Sequence, residues 1–124
     1  MGALRIKRVY VPPAPDDGSR ILVDRLWPRG VAKKATDLDL WLKEIAPSTA
    51  LREWFGHDPA RFAEFRQKYR EELDGNPEPV ARIAALAKNG DVTLLYAARN
   101  PRMNHAAVLA EYLADRGIRF VQTG

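Results

Sequence analysis

Two short stretches hold most of the side chains that could do chemistry. One is Asp24-Arg25-Leu26-Trp27-Pro28-Arg29-Gly30, and the other is Ala98-Arg99-Asn100-Pro101-Arg102-Met103-Asn104-His105. Arginine presents a rigid fork of N–H donors that matches the oxygens of phosphate or carboxylate. Arg25, Arg29 and Arg99, together with the amides of Asn100 and Asn104, therefore form a candidate anion-binding set. Asp24 and His105 are the candidate catalytic pair, a carboxylate able to orient a general acid or base if the two touch. Trp27 supplies a ring face for stacking on a ligand.

These residues meet only if particular elements carry them. "LRIKRV" (4–9) alternates apolar and basic residues, as a strand with one wet face does. "YVPPAPDDGS" (10–19) is a loop by its prolines and Asp-Asp-Gly, and "RILVDR" (20–25) is a second strand. "DLDLWLKEIA" (37–46) reads as a short helix capped by Asp37 and stopped by Pro47. A further helix runs from Ser48 or Thr49 to Phe55, closed by Gly56. Asp58-Pro59 opens the next, with Phe62, Phe65, Tyr69 and Leu73 inward, and Asn76-Pro77 opens another, with Val80, Ile83, Ala84 and Ala87 inward.

"VTLLYA" (92–97) has no alternation, the pattern of a strand buried on both faces in a parallel sheet. Asn100-Pro101 is expected to cap a helix reaching about Arg116, with Ala106, Leu109 and Leu113 inward, and "IRFV" (118–121) is a last strand. Strand, helix, strand is a βαβ unit. The expected fold is a single α/β domain over 1–124: a small layered structure with a mainly parallel sheet of about four strands flanked by helices. Ligands in such sheets collect beyond the carboxyl ends of the strands. If strands 20–25 and 92–97 are parallel neighbours, both chemical stretches share one crevice, and the free N–H groups of the last helix add to it.

Charge narrows the partners. Residues 1–34 hold Arg5, Lys7, Arg8, Arg20, Arg25, Arg29, Lys33 and Lys34 against Asp16, Asp17 and Asp24, a balance of +5 that leaves −1 for the remainder. Fourteen of the twenty basic residues are arginine. Such a patch attracts small anions, nucleic acid or acidic proteins. No cysteine is present, so disulfides, thiolate metal sites and a cysteine nucleophile are excluded, and a cytoplasmic setting is expected. No apolar run is long enough to span a membrane, and the first residues lack the apolar core of a secretory signal. Two histidines forty-eight positions apart make a poor zinc set, so neither metal nor cofactor is expected. Neither a glycine-rich phosphate loop nor a G-x-S-x-G elbow occurs.

Structural readings stand beside the chemical ones. Asp24 and Arg25 could form ion pairs at a strand end, with Trp27 a lid on the core. Asn100 could be simply a helix cap, and His105 a half-buried, hydrogen-bonded ring. His57 and Asp58 in "WFGHDP" read as shaping a helix start, and Trp41 and Trp54 as core residues at helical spacing.

The segments "RILVDRLWPRG", "LDLWLKEIAPSTALREWFGHDPARFAEFRQKYREEL" and "VTLLYAARNPRMNHAAVLAEYL" resemble the YeaO-like branch of domain-of-unknown-function family 488, over roughly Arg5 to Leu113. The resemblance implies a compact bacterial-type α/β domain and no particular activity. It also implies that other branches carry cysteine at the end of the strand equivalent to 92–97 and Cys-His-Arg at the helix start. Here those places hold Tyr96 and Asn104-His105-Ala106, so of these groups only the histidine is present.

The leading expectation is an Arg-rich pocket for a small anionic ligand, phosphate-bearing in one version. The alternatives are a nucleic-acid-binding accessory module and a protein-interaction domain without catalysis.

Overall fold

The computed structural model describes residues 2–121. Four parallel strands form one sheet: β1 (Leu4–Arg8), β2 (Ser19–Leu22), β3 (Leu40–Trp41) and β4 (Val92–Tyr96), in the spatial order β1-β4-β2-β3. All five residues of β4 are buried, and its centre pairs on both sides, Leu94 with Ile6 and with Ile21. The absence of alternation in this strand follows from that central place. β2 starts from Gly18, whose φ of 63° lies in the left-handed region and whose Cα packs against the Asp91 backbone, where no Cβ would fit.

Five helices follow the chain as α1 (Lys33–Thr36), α2 (Thr49–Phe55), α3 (Phe62–Asp74), α4 (Pro77–Asn89) and α5 (His105–Ala114). Helices α2 to α5 all cover one face of the sheet. Their Phe55, Phe65, Tyr69, Ile83, Leu109 and Leu113 pack with Ile21, Val23, Leu94 and Tyr96 in one core. The opposite face carries a smaller cluster in which Trp27, Val31, Leu38 and Trp41 cover Val9, Leu22 and Leu95. The loop after β2 thus serves as the second covering layer. Toward the start of the strands that face turns polar: buried Arg20 ion-pairs with buried Asp17, Lys7 reaches Asp17 at 2.9 Å, and Thr93 donates to the Asp17 carbonyl at 2.7 Å.

Local signals hold where they are strong. Ser48 caps α2 by accepting from Leu51 N–H, Gly56 ends it in the left-handed region, and Asp58 accepts from Ala60 N–H before α3. Three expectations change. The helix expected over 37–46 is absent. Asp37 has φ 47° and ends α1 instead of capping a new helix, Leu40 and Trp41 pair with Ile21 and Leu22, and a single 3-10 turn spans Lys43–Ile45. The open edge of β2 captures this segment: Asp39 N–H donates to the Arg20 carbonyl while the Asp39 carboxylate accepts from Arg20 N–H. Long-range pairing thereby outweighs weak helix propensity.

The last helix begins at His105, not after Asn100. Asn104 is its cap, accepting from Ala107 N–H at 2.8 Å, while Asn100 folds a turn by accepting from Arg102 and Met103 N–H. The strand expected over 118–121 is one bridge, Phe120 to Leu4.

Candidate functional site

Because β2 and β4 are parallel neighbours, their exit loops leave the sheet at the same edge. A cleft of about 540 Å³ opens there, bounded by Asp24–Leu26, by Ala97–Asn100 with Met103–His105, and on a third side by Ala46–Pro47 and α2 with the turn after it. The two chemical stretches of the sequence therefore meet, as parallel pairing requires.

Asp24 and His105 form the seam. His105 Nε2 lies 2.9 Å from Asp24 Oδ1 and 3.1 Å from the Val23 carbonyl oxygen. Both neighbours are acceptors, so Nε2 carries the proton. The ring N–H is directed at Val23, and Asp24 Oδ1 is buried without a hydrogen bond among the described residues. Asp24 Oδ2 accepts from Ala97 N–H at 3.1 Å, and the Asp24 carbonyl accepts from Trp41 Nε1 at 2.7 Å. Asp24, itself in the β2 exit, is thus bonded to the β4 exit and to β3. Beneath the pair, Tyr69 meets the His105 ring edge-on with centroids 6.5 Å apart and donates to the Ile45 carbonyl. Burial, followed by the charges of Glu72 and Asp24, pushes the Tyr69 phenol well above the usual tyrosine range, against the pull of Arg25. Tyr69 is a neutral donor throughout the working pH range.

Three arginines line the cleft: Arg25, Arg52 and Arg99. Arg25 is half-buried, with Nε and Nη2 donating to the Pro47 and Ala46 carbonyls at 3.1 Å each, which ties the β2 exit to the start of α2. Among the described residues none of the three pairs with a carboxylate. Asp24 is the single acidic residue on the lining.

The other expected residues divide. Asn100 and Asn104 line the cleft, but their side chains are engaged in the turn and the helix cap. Arg29 and Trp27 do not line it. Arg29 is exposed and offers only its carbonyl, to the Tyr10 hydroxyl. Trp27 donates Nε1 to the Val31 carbonyl and packs edge-on against Trp41, with centroids 5.4 Å apart. Its ring belongs to the cover of the second core, and Lys33 lies over it.

Two contributors are not among the expected site residues: Arg52 is not singled out by the sequence, and His57 reads there as shaping a helix start. Arg52 sits on α2 three positions before Phe55, so both share the helix face that borders the cleft. His57 follows Gly56 with φ 57°, a second consecutive left-handed residue, and also lines the cleft. A non-glycine residue held there is uncommon and marks a turn fixed by its surroundings. A usable signal was present, since Gly-His-Asp-Pro places a histidine where the chain must reverse between two helices. Among the described residues no group of three histidines or carboxylates is arranged to hold a metal ion, and no helix is long and apolar enough to cross a membrane.

Comparison with known proteins places this sequence in a family. The family model DUF488-N3i, described as the inactive DUF488-N3 subclade, matches residues 3–119. The uncharacterized protein YeaO of Escherichia coli (strain K12) is 49% identical over 110 residues, covering 89% of this chain and 96% of that protein. An uncharacterized protein of Mycobacterium tuberculosis (strain ATCC 25618 / H37Rv) is 44% identical over 113 residues, covering 91% and 95%. No solved structure matches the chain. The family-model match over residues 3–119, with a 49% identical relative covering 89% of the chain, identifies it as a YeaO-like member of the DUF488 family, within the inactive DUF488-N3 subclade.

Proposed function

We propose that the cleft binds a small anionic ligand and does not turn it over. One observation carries this reading: three guanidinium groups line one concave site without a carboxylate partner. Like charges gathered in a cleft repel one another, a cost to the fold that a bound anion relieves. The family description as inactive supports binding without turnover. So does the state of Asp24 and His105. The carboxylate is bonded to Ala97 and the Nε2 proton is held by Val23, so the pair braces the strand exits. In this reading Arg25, Arg52 and Arg99 hold the anion, Asn100 and Asn104 shape its loop, and Asp24 and His105 orient both exits.

Thermal denaturation against a phosphate series tests it. An anion at one hundred times its dissociation constant stabilises by about 2.7 kcal/mol, a readily measured shift. Arg52→Ala is expected to abolish that shift. A wild-type protein whose melting is indifferent to phosphate and sulfate at low ionic strength would remove the reading.

A nucleic-acid interface is the second reading. Its support is the exposed Tyr10, whose hydroxyl donates to the Arg29 carbonyl, together with the exposed Lys33 and Lys34. Much of the basic excess is internally engaged, however. Arg5 pairs with Asp91, Lys7 and Arg20 with Asp17, and Arg8 donates to the Ala97 and Ala98 carbonyls. Few cations are left for phosphates, so weak binding with a shallow salt slope is the expectation. Anisotropy titrations with a labelled oligonucleotide at two salt concentrations decide it.

A further inference from the structure

Resting on the anion reading, we propose that the ligand is a phosphomonoester carrying a flat apolar body, with a separate subsite for each part. The cleft of about 540 Å³ lies within the range of whole organic-ligand sites, about 300–1,000 Å³, and is far larger than a bare phosphate needs. Its lining is divided in kind. Ala97 and Ala98, both half-buried, give it an apolar floor, backed from the core by Phe55 and Phe65, stacked with centroids 4.3 Å apart. At the mouth stand Leu26, 60% exposed, and Met103, 38% exposed. These two come from different strand exits, so their meeting at one opening is a product of the tertiary fold.

Large apolar side chains held in water on both sides of a cleft gain by covering a ligand body, and methionine adapts to its shape. The cationic part sets the head group. Three arginines against Asp24 leave an excess of two positive charges on the lining. A phosphomonoester carries about −1.5 to −2 at neutral pH and offers three acceptor oxygens, whereas a carboxylate carries only one charge. Trp27, turned into the second core, takes no part, so the body is held by the Ala97–Ala98 floor and the Leu26–Met103 mouth.

The test compares three probes by calorimetry on the full chain at neutral pH: inorganic phosphate, naphthyl phosphate and naphthoate. Naphthyl phosphate is expected to bind at least about tenfold more tightly than either of the others, since each part of the site adds its own contribution. Leu26→Ser and Met103→Ser alter exposed positions and leave the core intact. Each is expected to weaken naphthyl phosphate by about threefold to tenfold and leave inorganic phosphate unchanged. Equal affinity for inorganic phosphate and naphthyl phosphate overturns the apolar subsite and leaves the anion reading standing. Naphthoate binding as tightly as naphthyl phosphate overturns the phosphate head. Failure of both phosphates to bind overturns this inference together with the anion reading.

Discussion

His105 Nε2 stands 2.9 Å from Asp24 Oδ1 yet gives its proton to the Val23 carbonyl at 3.1 Å. The carboxylate and the imidazole are therefore neighbours, while the ring's hydrogen bond goes to a third group, the backbone of the strand exit. This relationship yields the first test. Asp24→Asn is nearly isosteric, but if its amide oxygen keeps the bond from Ala97 N–H, its NH₂ faces the Nε2 proton. Two donors then oppose each other, and relieving them costs His105 its bond to Val23. A loss of about 1–3 kcal/mol is expected in urea denaturation, with anion affinity equal or higher because a negative charge has left the cleft. A variant as stable as the wild type would show that Nε2 does not carry the proton.

Arg25 and Arg52 line the same cleft but answer differently to removal. Arg25 satisfies the carbonyls of the buried residues Ala46 and Pro47, so Arg25→Ala is expected to destabilise the fold by about 1–3 kcal/mol. Arg52 is exposed, and its side chain makes no hydrogen bond or ion pair among the described residues. Arg52→Ala should change stability by no more than about 0.5 kcal/mol while removing phosphate-induced stabilisation. Chemical denaturation with and without phosphate separates the two. Equal stability losses would make both residues architecture.

At φ 57° His57 occupies backbone space that glycine enters freely. His57→Gly is expected to gain up to about 1 kcal/mol by relieving the left-handed conformation, less the added freedom of the unfolded chain. If the imidazole contributes to the cleft, the same variant binds phosphate more weakly. A melting temperature that rises while affinity falls is the expected pair of readings. A lower melting temperature would mean that the ring contact of His57 with Phe55, with centroids 5.9 Å apart, outweighs the backbone strain.

Asp17 sets an acid limit on stability. Burial works against its charge, but the Ala14 N–H and the side chains of Lys7 and Arg20 outweigh it and hold the carboxyl below its ordinary value. The unfolded chain therefore binds this proton more tightly than the folded one does. The resulting stabilisation is complete above the ordinary aspartate value, about 3.9, and is lost as pH falls through the lower folded value. Asp17→Asn leaves Arg20 buried beside a neutral amide, and a loss of about 3–5 kcal/mol is expected near neutral pH. The gap between variant and wild type should close on acidification below about pH 4. A pH-independent gap would assign the loss to packing alone.

The chain determines by itself whatever depends on neighbours a few residues apart. Ser48 and Gly56 bracket α2, Asp58-Pro59 leads into α3, and Asn76-Pro77 begins α4, because caps and prolines act on the N–H groups of their own turn. The apolar run of β4 likewise revealed a central parallel strand, and with it a common edge for the loops after β2 and β4. Tertiary structure decided what rests on competition between distant groups. Segment 37–46 had weak helical spacing, and the unpaired edge of β2 offered it ladder bonds that no local pattern reveals. Asn100 and Asn104 are both competent caps. α5 starts at the second, where Asn104 is buried, bonded to Ala107 N–H and donating to the Asn100 carbonyl. Arg52 and His57 entered the cleft, and Trp27 and Arg29 left it, because side-chain direction follows from how α2 and the β2 exit loop pack over opposite faces of the sheet.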